Sequence, residues 1–310
     1  LPSLERPIMI EEHELYVTAS IGISCYPGDG TSPEVLIRNA DTAMYQAKSS
    51  GRNTYAYYDA KFTEQAMERV RTEAALRRAI EQGGLFLQYQ PQVACRDRHI
   101  TGIEALVRWR HPELGMISPG RFIPLAEETG LIIPLGEWVL REATRQAQTW
   151  RGAGLALPRV AVNVAAAQLR LTHFDQIVAS ALTDSGLDAH CLELEITEGF
   201  LSAAPEIAPG ILGRLRELGV AIAIDDFGTG YSSLQRLKDL PVDRLKIDQG
   251  FIRGLPEDQD DLVLSQAVIA LGHSLGLEVI AEGVEETAQQ EILAAAGCEE
   301  IQGYLYSRPL

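Results

Sequence analysis

Between Tyr16 and Ser24 apolar and polar positions alternate with period two, placing Val17, Ala19, Ile21 and Ile23 on one face and predicting a strand. Ser32-Pro33-Glu34 reads as an N-cap, a first helical residue and a first-turn acid, and Gly51 as a stop, so the segment between them is predicted to be a helix. A short aromatic strand, Asn53 to Asp59, follows. Phe62 to Gln82 contains neither Gly nor Pro, is rich in helix formers and runs into Gly83-Gly84, which predicts a long connecting helix. From residue 85 strand-length apolar runs recur eight times, at 86–93, 103–109, 160–164, 192–197, 221–227, 244–248, 278–283 and 301–306, with helical patterns between most of them. That alternation belongs to parallel α/β architectures. Eight units in about 225 residues predict a (β/α)8 TIM-like barrel, with an open doubly wound sheet as the alternative. No GxGxxG or GxxxxGK[ST] loop opens any of the helices, which weighs against the open sheet. The first two strands follow one another without a helix, a departure from the regular barrel.

Side chains alternate across a strand, so each run sorts into two faces. In 192–197, Leu192, Leu194 and Ile196 oppose Glu193, Glu195 and Thr197; in 244–248, Leu245 and Ile247 oppose Arg244, Lys246 and Asp248. Glu104, Leu106 and Arg108 share a face, as do Ala161 and Asn163, Ala221, Ala223 and Asp225, and Ile280 and Glu282. A barrel strand packs its apolar face on the helices, so the polar sets are predicted to face the barrel's axis near the strands' C-terminal ends, where barrel enzymes carry their chemistry. Glu104, Glu195, Asp225, Asp226, Asp248, Glu282 and Glu285 would converge there with Asn163. Adjacent Asp225 and Asp226 would reach one cluster if the pleat breaks at the strand end.

So many buried like charges raise one another's pKa and destabilise the fold unless cations neutralise them. The donors all carry oxygen, which favours Mg2+ or Mn2+, admits Ca2+ and argues against zinc. A pair of such ions suits in-line displacement at phosphorus, and phosphoester hydrolysis is the chemistry indicated. Other readings stand beside this one: Lys246 as a structural counter-ion to Asp248, Arg108 as a helix cap or a cover for Trp109, and the segment Gly228 to Ser233 as a plain connection in place of a mobile lid. Trp109, Trp138 and Trp150 read as core, and His273 as a surface or packing residue.

The chain has 310 residues and a formal net charge of −16, with no basic cluster, so a DNA or RNA polymer is not an expected partner. Cys25, Cys95, Cys191 and Cys298 lie far apart with no metal-ligand spacing and read as core thiols in a reducing compartment. No apolar stretch approaches the roughly 18–20 residues of a spanning helix, so a cytoplasmic fragment without membrane contact is expected, with room for a tether or sensor upstream.

Residues 85 to 310 resemble an EAL-type cyclic di-GMP phosphodiesterase domain. The resemblance rests on Glu104-Ala105-Leu106 with Arg108, Asn163, Glu195 to Glu198, Asp225 to Ser233, Lys246-Ile247-Asp248, Glu282 to Glu285 and Gln302-Gly303-Tyr304. Residues 1 to 59, with Ser20 to Ser24 followed by Asp41 to Asn53, are similar to the C-terminal end of a GGDEF (diguanylate cyclase) domain without its nucleotide-binding signature. The implied division is 1–59, a linker helix at 60–83, and 84–310. The implied fold is a modified (β/α)8 barrel with one antiparallel strand, preceded by a partial α+β GGDEF fragment. The resemblance further implies that Glu104, Asn163, Glu195 and Asp225 hold one Mg2+ or Mn2+, that Asp226 and Asp248 serve a second ion or the attacking water, and that Ca2+ binds without turnover. Glu282 is implied as general base, Lys246 as the residue orienting the water, Glu285 as support for the cluster, and Glu198 as anchor of the loop from Phe227. Gln88, Leu106, Arg108 and Gln302 are implied contacts to cyclic di-GMP, linear pGpG is the implied product, and a homodimer the implied assembly. A receptor that holds the dinucleotide uncut, a dimerising signal-transfer element and an unrelated barrel glycosidase are the competing functions.

Overall fold

The computed structural model describes residues 8–10, 13–15, 18–228 and 234–310. Two compact units divide the chain, 1–75 and 76–310. In the first, β1 (Ile8–Ile10) and β2 (His13–Leu15) form an antiparallel pair, and β3 (Ile21–Ile23) runs parallel to β4 (Tyr55–Tyr57), connected by α1 (Pro33–Ser49). The start of α1 follows from its sequence: Ser32 Oγ accepts the Val35 N–H, and Pro33 occupies the first turn, where a missing N–H costs nothing. The strand expected from Tyr16 begins only at Ile21, and Tyr16 and Val17 lie outside the described residues. Of the four thiols read as core, Cys25 is exposed and the other three are buried; Cys25 leaves β3 into a turn that Asp29 closes by accepting its N–H.

Helix α2 (Ala60–Gln82) ends at Gly83 and Gly84, both with positive φ. Leu76 and Ala79 are buried, and the division between the two units falls inside this helix, after Ala75.

The second unit contains β5 (Leu85–Ala94), β6 (Ile100–His111), β7 (Gly115–Ile117), α3 (Pro119–Thr129), α4 (Ile132–Gly152), β8 (Val160–Val164), α5 (Ala166–Leu169), α6 (Phe174–Ser185), β9 (Leu192–Thr197), α7 (Glu198–Ala203), α8 (Ala208–Glu217), β10 (Ala221–Phe227), α9 (Leu234–Asp239), β11 (Arg244–Ile247), α10 (Gln259–Ser274), β12 (Glu278–Ala281), α11 (Thr287–Ala296) and β13 (Glu300–Gln302). The order β5-β13-β12-β11-β10-β9-β8-β6 is closed by pairing of β5 with β6, giving an eight-stranded barrel. β5 is antiparallel to both its neighbours while the other barrel strands pair in parallel. A short turn joins β5 to β6, and a short turn can only build a hairpin, which is why no helix intervenes. The three-residue β7 adds to β6 outside the ring and was too short to show as a period in the sequence.

The two-faced reading of the strands holds. Leu192, Leu194, Ile196, Leu245 and Ile247 are fully buried on the helix side, while Glu193, Glu195, Arg244 and Lys246 are buried on the other. Ala161, Ala221 and Ala223 lie in register beside Glu193 and Glu195. Their small side chains leave the lumen room for the long charged ones. On the outside, Val93, Ile247, Val279, Ala281 and Ile301 pack with Ile269 and Leu293 of α10 and α11 in one apolar core. Trp109 is fully buried, but Trp138 and Trp150 are half-buried, Trp150 meeting Tyr89 edge to face at 4.7 Å.

Candidate active site

Lys246 on β11 stands at the centre of the barrel mouth, 0% exposed. Its Nζ lies 2.8 Å from Glu195 Oε2 on β9, 3.2 Å from Asp225 Oδ1 on β10 and 2.6 Å from Glu282 Oε1 just after β12. Glu104 on β6 accepts a 2.6 Å hydrogen bond from Asn163 Nδ2 on β8, and its second oxygen accepts one from Gln302 Nε2 on β13. Six strands thus each deliver a polar side chain to one end of the ring.

Asp226 solves the problem of two adjacent acids. Its φ is +52°, and the β10–β11 register shifts between Ile224 and Phe227. Aspartate tolerates the left-handed region better than most residues, and the bulge turns Asp226 so that carboxylate oxygens of Asp225, Asp226 and Glu282 lie within 4.8 Å of one another. Asp248 interacts with Asp226, and its carboxylate also accepts the Gly250 N–H at 2.9 Å. The pairing of Lys246 is therefore with Glu195, Asp225 and Glu282, not with Asp248.

The charges do not balance. Four carboxylates, Glu104, Glu195, Glu282 and Asp225, hold the Lys246 ammonium well above its ordinary pKa against the pull of burial. One ammonium is too little for them. Burial, with Glu104 and Asp225, pushes Glu195 well above the carboxylate range despite Lys246, and Glu282 is pushed up to about 8 by burial and by Asp225 and Glu104. Asp226 is raised by burial, Asp225 and Asp248. Glu195 Oε1, moreover, is buried with no hydrogen-bond partner, and such an atom is costly unless something cationic meets it. These residues fit a divalent ion, for which all-oxygen donors are the appropriate set. A carboxyl must lose its proton to ligate, so with Glu195 and Asp226 held above the ordinary carboxylate range ion affinity rises as pH rises through that raised range.

Beside the cluster opens a cavity of about 330 Å³ lined by Gln90, Glu104, Leu106, Asp225, Gln249, Arg253, Glu282, Gly283, Glu285, Gln302, Gly303 and Tyr304. Of the expected substrate contacts, Leu106 and Gln302 lie in this wall. Gln88 and Arg108 lie outside it, bonded to each other (Arg108 Nε to Gln88 Oε1, 2.7 Å). Glu285 is an exposed part of the rim. Glu198 is buried and accepts the Gly228 N–H at 2.9 Å, holding the start of the loop whose residues 229–233 lie outside the described residues. Gly303 is obligatory: a Cβ there would stand 2.1 Å from the Val284 carbonyl oxygen, and this close approach keeps Gln302 against the 283–285 rim.

Gln90, Gln249, Arg253 and Tyr304 were not singled out from sequence as site residues. Gln90 had a readable signal, since it shares the strand face of Gln88; Gln249 and Arg253 lie in and after a short 3-10 turn with no period to sort them. His273, as expected, is an exposed packing residue, paired with Glu299 at 2.8 Å.

Fold and site together define a closed α/β barrel with one reversed strand and a buried, oxygen-only acidic centre at the C-terminal ends of its parallel strands. The chain belongs to the EAL domain family, whose profile matches residues 73–309, and a diguanylate cyclase GGDEF domain matches residues 1–54. Among curated relatives, the bifunctional diguanylate cyclase/cyclic di-GMP phosphodiesterase MucR of Pseudomonas aeruginosa is 46% identical over 307 residues, covering 99% of this chain and 45% of MucR. The cyclic di-GMP phosphodiesterase NbdA of the same organism is 44% identical over 310 residues, covering 100% of this chain and 40% of NbdA. The chain thus spans less than half the length of these relatives. Among solved structures, the PaMucR phosphodiesterase in complex with c-di-GMP has 47% identity and a TM-score of 0.75, covering 77% of this chain and 97% of that one. The FimX EAL domain, at 26% identity, has a TM-score of 0.72, covering 77% and 95%. No described helix is long and apolar enough to cross a membrane.

Proposed function

We propose that the barrel hydrolyses one phosphodiester of cyclic di-GMP, giving linear pGpG, with two divalent ions, Mg2+ or Mn2+, at the acidic centre. The observation that carries this is the complete oxygen-donor set around a single buried lysine, with Glu195 Oε1 left partnerless. The phosphodiesterase names of MucR and NbdA support the substrate. The same reading assigns residues 1–59 to a GGDEF fragment, 60–83 to a linker helix and 84–310 to the phosphodiesterase, working as a homodimer.

Glu104, Asn163, Glu195 and Asp225 would hold one ion and Asp226 and Asp248 the second; when bound, such ions acidify water and neutralise charge developing at phosphorus. Lys246 orients the attacking water between Asp225 and Glu282. Glu282 takes the proton from that water as its oxygen bonds to phosphorus, and the opposite P–O bond to ribose breaks, the leaving oxygen taking a proton from solvent at the open cavity mouth. Glu198 tethers the loop at Gly228, and Leu106, Gln302 and Tyr304 shape the wall against which a guanine lies, with Gln88 and Arg108 reaching the substrate from outside that cavity.

Incubation with cyclic di-GMP and Mg2+ or Mn2+ is expected to yield the linear dinucleotide, and a chelator to stop it. Tight binding without product under either metal would instead identify a receptor.

A further inference from the structure

Glu104 is held from below by a chain of amides that runs the depth of the barrel. Arg159, immediately before β8, ion-pairs with Glu300 (2.9 Å) and Glu193 (3.4 Å), which Arg244 also joins, in a buried ionic layer at the N-terminal end of the parallel strands. Arg159 Nη2 donates to Gln92 Oε1 at 3.2 Å. Gln92 Nε2 donates to Gln302 Oε1 at 3.1 Å. Gln302 Nε2 donates to Glu104, and to Gln90 Oε1 at 3.1 Å. Gln92 is 0% exposed and Gln302 4%.

The orientation of every amide in this chain is forced from both ends. A guanidinium only donates, so the atom Gln92 turns to Arg159 must be its oxygen. Its NH2 then faces Gln302, which must answer with oxygen, leaving the Gln302 NH2 for Glu104. A carboxylate only accepts, so the same assignment follows from the top. Gly102 is part of the device: it sits opposite Gln92 in the β5–β6 register, and a Cβ on it would lie 2.8 Å from Gln92 Oε1 and 3.3 Å from Arg159 Nε and Nη2. Only a residue without a side chain lets the guanidinium and the amide meet.

We propose that Gln92 is a positioning residue: polarised by Arg159, it fixes the Gln302 amide with NH2 toward Glu104 and so holds that carboxylate in the geometry in which it ligates an ion. This rests on the reading of Glu104 as a ligand. Partners one shell out from a metal commonly contribute 10–100-fold to affinity.

The test uses Mn2+ binding by calorimetry on the whole chain, with thermal melting as the check on folding. In Q92E, Arg159 keeps the new carboxyl ionised; an acceptor then faces Gln302, whose amide must reverse and turn its oxygen on Glu104. Mn2+ affinity is expected to fall about tenfold or more. Q92M removes the donor but leaves Gln302 free to face Glu104, and a loss of about threefold is expected. This ranking is opposite to a packing role, because glutamate matches glutamine in shape and methionine does not. Wild-type affinity in Q92E, or a larger loss in Q92M than in Q92E, overturns the proposal. Should Q92E fail to fold, G102A carries the test by pushing Gln92 off Arg159 with every polar group retained: at least a threefold loss is expected, and unchanged affinity overturns the relay. Absence of Mn2+ binding by the wild-type chain overturns the ligand reading of Glu104 and the relay with it.

Discussion

Lys246→Met is expected to cost the metal-free protein about 3–5 kcal/mol of stability and at least a hundredfold in turnover. The stability loss follows from where the ammonium sits: it is fully buried and is the cation within 3.2 Å of Glu195, Asp225 and Glu282. Methionine fills the volume but leaves those carboxylates buried with no counter-charge, so they must take up protons or the barrel mouth must open. Saturating Mn2+ is expected to return much of the lost stability, since an ion that binds only the folded chain stabilises it and supplies the missing charge. Urea midpoints with and without Mn2+ measure both effects. An unchanged midpoint together with unchanged kcat would show that the lysine neither balances the cluster nor serves the reaction.

Glu282→Gln is expected to lower kcat by about 10²- to 10⁴-fold, the usual contribution of a positioned base, with Mn2+ affinity held within about threefold. The structure makes this substitution more informative than others in the ring. Glu282 is paired with Lys246 and is also one of the three acids whose oxygens approach one another closely enough to share an ion. A base and a ligand respond differently. Loss of the base leaves the ion bound and the chemistry slow, whereas loss of a ligand weakens ion binding and turnover together. Retention of full activity would remove Glu282 from the mechanism, and a collapse of Mn2+ affinity would make it a ligand.

The barrel and the identity of its inner faces were legible because period two sorts side chains with no knowledge of the neighbours. Glu193 and Glu195 fall on the same face in sequence and in space. What alternation does not encode is depth. Glu193 belongs to the lower ionic layer with Arg159 and Arg244, and Glu195 to the upper one with Lys246, a separation set by strand register and tilt. The aspartate pair was readable for a related reason: two adjacent acids on one strand converge only if the pleat breaks, and the positive φ of Asp226 is that break. Among the glutamines of β5, the family resemblance implied Gln88 as the substrate contact, whereas Gln90 lines the cavity and Gln92 lies in the lumen. All three share one face, and only closure of β5 against both β6 and β13 decides which depth each occupies. Arg253 was invisible because it lies beyond any periodic element.

Mn2+ titration of the metal-free chain at pH 8 to 9, followed by calorimetry or by the loss of the free-ion magnetic resonance signal, tests most directly whether this acidic ring is built around divalent cations. The account predicts saturable binding of two ions per chain, weakened as pH falls and the raised ligands Glu195 and Asp226 take up protons, and lost in Glu195→Ala. No saturable binding at millimolar Mn2+, or binding indifferent to Glu195, would contradict it.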